Sequence, residues 1–166
     1  MIVLETERLI LSHAGDDDAA FFLKLLTDDS FIQNIGDKGV KNEEDAKGYI
    51  NESLVKSYQT NGFGLYLTTL KATGEPVGIC GLVKRDSLDC PDVGYAFLPE
   101  YSGKGYATES ALAVMDYSKT QLHIPRVVGI TSKDNIPSQR VLEKLGLKFE
   151  KMVPYNDTEE SMLFVP

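Results

Sequence analysis

The chain has 166 residues, of which 42% are hydrophobic and 25% are charged, and its formal net charge is −8 at pH 7. This length and balance predict one globular domain over residues 1–166 with a buried core, and they exclude a largely disordered chain. An acidic chain lacks the basic surface by which proteins bind nucleic acid, so we expect no nucleic-acid partner. The negative net charge is compatible with a cationic substrate such as an amine, although a negative net charge usually reflects solubility alone.

The cysteines, the histidines and the start of the chain argue against a disulfide-rich, metal-binding, secreted or membrane-spanning protein. Cys80 and Cys90 are too few for a disulfide framework or a structural zinc site, and neither His13 nor His123 has metal-ligand spacing around it. We therefore expect no metal. Residues 1–8 lack the pattern of a signal peptide, and no segment approaches about 18 uninterrupted apolar residues. These features predict a cytoplasmic protein with no membrane partner.

The first half of the chain predicts one strand and two helices. Residues 9–11 are apolar after a polar segment and predict the first strand. The aspartates at 16–18 predict a helix start, since carboxylates stabilise a first turn and apolar residues follow at helical spacing. No glycine or glutamate completes a calcium loop there, which favours a helix start over a metal site. Asn42 predicts the cap of a second helix, and Gly62 its end.

The middle of the chain predicts an antiparallel meander followed by a crossover. Residues 64–70 and 77–83 are apolar runs on either side of a turn, as in a hairpin, and residues 92–98 predict a further strand. A helix with Ala107 in its first part then leads to a strand at residues 126–130. A strand–helix–strand crossover makes its flanking strands parallel.

The end of the chain predicts a helix and two strands. Asn135 caps the helix, Pro137 lies in its first turn, and Gly146 follows its end. Residues 147–153 and 161–165 predict the closing strands. The whole pattern predicts an α+β fold, with a mixed but mostly antiparallel sheet and helices on both faces.

The turn between strand 92–98 and the next helix holds two glycines, Gly103 and Gly105. Glycine lets the backbone approach a ligand without a Cβ in the way, and the first N–H groups of a helix have no internal partner. This predicts a site for a phosphate or a pyrophosphate. The spacing of a P-loop is absent, and the third glycine of a dinucleotide fingerprint is Thr108 here.

Four segments occur in a characteristic order: LETERL at residues 4–9, DVGY at 92–95, GKGYATE at 103–109, and NxxSxRVLEKLG at 135–146. Together they resemble the Gcn5-related N-acetyltransferase (GNAT) superfamily, in particular its branch of RimJ/RimL-type ribosomal-protein N-terminal acetyltransferases. The resemblance covers almost the whole chain and implies a GNAT-like fold with a splayed sheet. It also implies an acyltransferase that moves an acetyl group from acetyl-CoA, its cosubstrate, to a primary amine.

The resemblance implies a set of residues around acetyl-CoA. Backbone N–H groups of the glycine turn would hold the pyrophosphate, and the pantetheine arm would pair with the splayed fourth strand. The family has Gln or Arg three residues before the first glycine, where this chain has Glu100, and we expect binding to survive the difference. Lys104 and Lys144 are candidates for CoA phosphates, or are solvated surface charges. The implied cofactor-binding residues are Phe97, Leu98, Gly103, Lys104, Gly105, Tyr106, Ala107, Thr108, Asn135, Ser138 and Lys144.

The implied chemistry is direct attack of a neutral amine on the thioester, which needs a base, an oxyanion donor and an acid. Asp92 is the candidate base, through a water, and the alternative is a solvated carboxylate at a strand start. The backbone N–H of Phe97 is the candidate oxyanion donor. The tyrosine that many relatives use as the acid is Leu142 here. Ser138 takes its place, either as a hydrogen-bond donor to the sulfur or as a first-turn residue of its helix.

The sequence identifies neither the acetyl acceptor nor the oligomeric state. The acceptor could be a protein N-terminus or a small-molecule amine, and the protein could be a monomer or a homodimer. Residues 31–35 and 155–158 are the predicted walls of the acceptor site. The alternative function is a non-catalytic acetyl-CoA-binding protein that has kept the GNAT fold, because the usual tyrosine is missing.

Overall fold

The computed structural model describes residues 1–166 and contains two antiparallel sheets. The first sheet has five strands, hydrogen-bonded in chain order: β1 (Ile2–Glu5), β2 (Leu9–Ser12), β3 (Leu65–Leu70), β4 (Pro76–Val83) and β5 (Asp92–Phe97). The second has three: β6 (Gly129–Thr131), β7 (Lys148–Pro154) and β8 (Glu160–Val165), with β8 in the centre.

The two sheets meet where β5 passes β6. One parallel bridge joins Asp92 to Val128, and Val93 N–H donates to Val128 O at 2.9 Å. Beyond this point β5 pairs with β4 alone, through to Phe97. The strands therefore diverge and leave a gap between the sheets. This arrangement confirms the predicted mixed, splayed sheet and the parallel crossover.

Six α-helices flank the sheets: α1 (Ala19–Leu26), α2 (Asp29–Asn34), α3 (Glu43–Tyr49), α4 (Lys56–Asn61), α5 (Tyr106–Thr120) and α6 (Ile136–Lys144). A 3₁₀ turn, Asp16–Asp18, precedes α1, and a π-helical segment, Ile50–Val55, joins α3 to α4. The Asn42 side chain accepts a hydrogen bond from Asp45 N–H at 2.8 Å, and Gly62 ends α4 in the left-handed conformation. Both helix boundaries agree with the prediction.

Apolar residues form a core on each face of the structure. Phe22, Ile50 and Leu54 belong to the core under α1, α3 and the π-helical segment. Val114 and Leu142 belong to the core under α5 and α6. The helices therefore cover both faces, which confirms the predicted α+β arrangement. None of the helices combines the length and the apolar content that a membrane crossing requires.

The structure differs from the sequence prediction in three elements. The predicted first strand, residues 9–11, is the second, because Ile2–Glu5 forms an antiparallel edge strand beside it. The short helix Asp29–Asn34 was not predicted, although the Asp28 side chain caps it by accepting from Ser30 N–H. The strand predicted at 126–130 is shorter and later, Gly129–Thr131, because only these three residues pair with β8, whereas Val128 makes an isolated bridge to β5.

Candidate active site

A cleft of about 1100 Å³ occupies the gap between the two sheets. At one end lie the glycine turn and the first residues of α5, and in the middle lie β5 and the first turn of α6. At the other end lie α2, the π-helical segment and the hairpin of β7 and β8. The cleft therefore connects the predicted cofactor residues with both predicted walls of the acceptor site.

The glycine turn presents free N–H groups to this cleft. Gly103 and Gly105 have φ values of +75° and +85°, which glycine adopts without strain, and Gly105 is the N-cap of α5. The N–H groups of Tyr106, Ala107 and Thr108 donate to no protein acceptor. The first N–H of α5 that makes a hydrogen bond is that of Glu109, which donates to Gly105 O at 3.0 Å. Three parallel donors at the positive end of a 15-residue helix suit an anion.

Glu109 fixes this turn to the start of the chain. Its carboxylate accepts from the Thr6 hydroxyl at 2.5 Å, from Arg8 N–H at 3.0 Å and from Arg8 Nε at 2.7 Å. Burial raises the pKa of Glu109, but these hydrogen bonds outweigh it and hold the pKa below its usual value. The Arg8 guanidinium also lies 4.5 Å from the centre of the Tyr106 ring. Both segments are recognisable in the sequence, but their contact, which spans about a hundred residues, is not.

The backbone of β5 faces the gap at alternate residues. Leu98 N–H donates to a carbonyl of β4 at 3.0 Å, whereas Val93 N–H donates to Val128 on the other side. Because N–H direction alternates along a strand, those of Tyr95 and Phe97 point towards the gap, like that of Val93. The N–H of Phe97 therefore has the direction that an oxyanion donor needs, and its role stays a prediction. Leu98 differs, because its N–H is already paired with β4 and its side chain is buried in the core, so its contact with the cofactor stays a prediction.

Asp92 is a buried carboxylate at the edge of the cleft. Only 1% of its surface is exposed, and Arg85 Nε donates to its Oδ1 at 2.9 Å. Burial raises the pKa of Asp92 from 3.8 to about 6, against the opposing effect of the Arg85 charge. The alternative of a solvated carboxylate is therefore wrong. Such a group is ionised at neutral pH and still accepts a proton readily, so its role as the base stays a prediction.

Ser138 lies in the first turn of α6, where a second hydroxyl meets it. Its N–H donates to the Asn135 side chain at 3.3 Å, which confirms Asn135 as the helix cap. Its Oγ lies 2.9 Å from Tyr95 Oη, and Tyr95 Oη lies 3.0 Å from Ser138 O. Leu142 is a core residue with 1% exposure. The phenol near this helix thus belongs to β5, a placement that the spacing along α6 could not reveal.

The far end of the cleft is bridged by one hydrogen bond. The Tyr155 hydroxyl, from the hairpin of β7 and β8, donates to Ile35 O at 2.8 Å. The Arg85 guanidinium lies 5.6 Å from the centre of the Tyr155 ring, so it touches both Asp92 and this bridge. The predicted walls, residues 31–35 and 155–158, contact each other here through Tyr155 and Ile35, although residues 157 and 158 do not line the cleft and Phe31 is mostly buried in the core. Tyr49, at the end of α3, lines the cleft as well.

A family model described as the acetyltransferase (GNAT) domain matches residues 8–148. The chain belongs to the GNAT acetyltransferase family. It is therefore an acyltransferase of a family whose members use acetyl-CoA.

Similar proteins agree with this GNAT assignment. The chain is 30% identical over 132 residues to the uncharacterized N-acetyltransferase YnaD of Bacillus subtilis, across 77% of this chain and 75% of that protein. A crystal structure of an acetyltransferase from Agrobacterium tumefaciens superposes with a TM-score of 0.83 at 24% identity, across 98% and 92% of the two chains. RimL, an α-N-acetyltransferase of ribosomal protein L7/L12 solved with coenzyme A, superposes with a TM-score of 0.85 at 17% identity, across 100% and 97%. These structural likenesses show the shared fold.

Two lysines predicted to contact CoA phosphates differ in their position relative to the cleft. Lys144 lines the cleft, whereas Lys104 is exposed outside it. Glu100, which differs from the family pattern, pairs with Lys24 at 3.1 Å and does not line the cleft. The difference at Glu100 therefore lies outside the lining of the cleft.

Proposed function

We propose that this GNAT protein transfers the acetyl group of acetyl-CoA to a primary amine by direct attack within the cleft. The observation that carries the proposal is the continuity of the cleft, from the free N–H groups of α5, past the backbone of β5, to the bridged acceptor end. We also propose that residues 1–166 act as one domain, since Tyr58 and Tyr101 contact both cores.

The residues at the first end of the cleft fit the pyrophosphate of acetyl-CoA. Tyr106, Ala107 and Thr108 would donate their N–H groups to it, and Gly103 and Gly105 leave no side chain in its way. The Thr6, Arg8 and Glu109 contacts hold this turn in place. RimL, which shares the fold, has been solved in complex with coenzyme A. Lys144 is the proposed contact for a further phosphate.

The residues in the middle of the cleft fit the reacting groups. Acetyl-CoA supplies the acetyl group as a thioester, whose carbonyl carbon the amine attacks. The N–H of Phe97 would donate to the oxygen on which negative charge develops, since it points into the gap. Asp92 would accept a proton from the incoming ammonium through a water, and Ser138 would donate a hydrogen bond to the sulfur. Holding the two substrates side by side supplies much of the rate.

Thiol release from acetyl-CoA across a panel of acceptors tests this proposal. The panel needs amino acids, polyamines, amine antibiotics and peptides with free N-termini, because the acceptor end holds both carboxylates, such as Glu52 and Glu160, and cations, such as Lys38 and Arg85. We expect release with at least one class. The matched control is the same acceptor with its amine already acetylated, which should give none.

The outcome also separates the enzyme from a binding module. Tight binding of acetyl-CoA by calorimetry, with no release for any acceptor, would contradict acetyl transfer and favour a non-catalytic binding protein. Absence of binding would contradict the proposed cofactor site as well.

A further inference from the structure

Tyr95 has no part in the chemistry described so far, yet its hydroxyl reaches the first turn of α6. It lies on β5, and its phenol contacts Ser138 from across the gap between the sheets. Two atoms of Ser138 are within hydrogen-bond distance of Tyr95 Oη: Oγ at 2.9 Å and the backbone O at 3.0 Å. The contact joins residues 43 positions apart in the chain.

A phenol has one hydrogen to donate, so it can satisfy only one of these two acceptors fully at a time. If Tyr95 donates to Ser138 O, the serine hydroxyl is free to donate to Tyr95 Oη, and its hydrogen points away from any ligand. If Tyr95 donates to Ser138 Oγ, the serine hydrogen is available for another acceptor. The two arrangements differ only by rotation of two O–H bonds.

We propose that Tyr95 is a positioning residue that turns the Ser138 hydroxyl into a hydrogen-bond donor for the sulfur of the bound coenzyme. This inference rests on the proposed function, because the sulfur is the acceptor that selects the second arrangement. As negative charge builds on the sulfur, Ser138 O–H is polarised towards it, and the Tyr95 O–H stabilises the charge that this leaves on Oγ. A chain of two hydrogen bonds strengthens each member.

The arrangement requires no loss of a proton from Tyr95. Burial raises the pKa of the Tyr95 hydroxyl, and its contact with Ser138 lowers it by less, so the phenol stays protonated. The phenol therefore keeps the hydrogen that it needs in order to donate a hydrogen bond to Ser138 Oγ. Tyr95 therefore acts through Ser138, the first-turn residue of the helix on which this chain has Leu142 and no tyrosine.

Tyr95→Phe tests the inference because phenylalanine keeps the ring and removes only the hydroxyl. We expect kcat to fall about tenfold, equivalent to about 1.4 kcal/mol, with the KM for acetyl-CoA changed less than about twofold. The double variant Tyr95→Phe with Ser138→Ala should be no slower than Ser138→Ala alone, because Tyr95 acts only through Ser138. Tyr117→Phe is the matched control, since no hydrogen bond of its hydroxyl occurs in the structure, and it should keep full turnover.

A second measurement does not depend on turnover. The pKa of the thiol of bound coenzyme A, followed by ultraviolet absorbance of the thiolate, reports the hydrogen bond to the sulfur directly. We expect this pKa to be about one unit higher in Tyr95→Phe and in Ser138→Ala than in the wild-type protein. This measurement decides the inference even if the wild-type protein releases no thiol with any acceptor, the outcome that contradicts acetyl transfer itself.

Three results would overturn the inference. The first is an unchanged thiol pKa in Tyr95→Phe. The second is a double variant whose loss of kcat equals the product of the two single losses. The third is a variant whose only defect is weaker binding of coenzyme A, which would mean that the phenol merely ties the two sheets together.

Discussion

Replacing Asp92 with asparagine separates the charge of this side chain from its shape. The amide keeps the size of the carboxyl but cannot accept a proton from the substrate. If Asp92 is the base, kcat should fall by at least about 100-fold, the usual contribution of such a group. Wild-type kcat should also fall as the pH decreases through about 6, the pKa that burial gives Asp92. The exposed Asp89 lies on the preceding loop, and Asp89→Asn should keep full turnover.

The same pKa predicts a stability effect of known sign. The pKa of Asp92 rises from 3.8 to about 6 on folding, roughly two units at about 1.36 kcal/mol each, or about 3 kcal/mol. Because the folded state binds the proton more tightly than the unfolded state, Asp92 stabilises the fold most below pH 3.8. This stabilisation is lost as the pH rises through about 6.

Urea unfolding of the wild-type protein and Asp92→Asn between pH 4 and pH 8 measures this effect. The free energy of unfolding of the wild type, relative to that of the variant, should decrease by about 2.5 kcal/mol over this interval, because other groups cancel in the difference and the first part of the effect falls below pH 4. Two parallel stability profiles would refute the buried, raised pKa. A variant with wild-type turnover and the same decline below pH 6 would refute Asp92 as the base.

Three further predictions address the two ends of the cleft. Gly105→Ala should weaken acetyl-CoA binding, measured by calorimetry, at least tenfold, because a Cβ would enter the turn beside Arg8 at a φ of +85°. Gly74→Ala, at a φ of +76° in an open turn, is the control for backbone strain alone. Equal losses of acetyl-CoA binding in the two variants would contradict the proposed pyrophosphate site. Glu109→Gln should raise the KM for acetyl-CoA about fivefold by loosening the Arg8 and Thr6 contacts, while Glu5→Gln, which removes an exposed ion pair, should leave it unchanged. Tyr155→Phe should raise the KM for the acceptor about two- to tenfold, the effect of losing one hydrogen bond, and should leave the KM for acetyl-CoA unchanged. A raised KM for acetyl-CoA with an unchanged KM for the acceptor would contradict the assignment of the acceptor end.

Local signals in the sequence predicted much of this structure. The glycines at 103 and 105 are needed for positive φ, and Asn42 and Asn135 cap helices through their own side chains, so each acts within a few residues of its position. Apolar runs bounded by turn residues likewise predicted β3, β4 and β5, and apolar residues at helical spacing predicted the helices that follow or precede them. Such signals depend on the backbone nearby and can be found without knowing the rest of the fold.

The features that the sequence did not predict depend on contacts between distant residues. Thr6 and Arg8 contact Glu109, and Tyr95 contacts Ser138, with separations from 43 to 103 residues. The resemblance placed residues 31–35 and 155–158 at one site, but the hydrogen bond of Tyr155 to Ile35, across 120 residues, was not predicted. The burial of Asp92, which raises its pKa, also results from packing across the two sheets. Each of these contacts forms only in the folded structure, so it cannot be predicted from the spacing of residues along the chain.

The central claim is that an acetyl group moves from acetyl-CoA to an amine in this cleft. Mass spectrometry of an acceptor panel, after incubation with acetyl-CoA that carries an isotopically labelled acetyl group, tests it most directly. We predict that one class of amine gains a single labelled acetyl group with the wild-type protein and far less with Asp92→Asn. A labelled cofactor that stays intact with every acceptor, although the protein binds it, would contradict the claim.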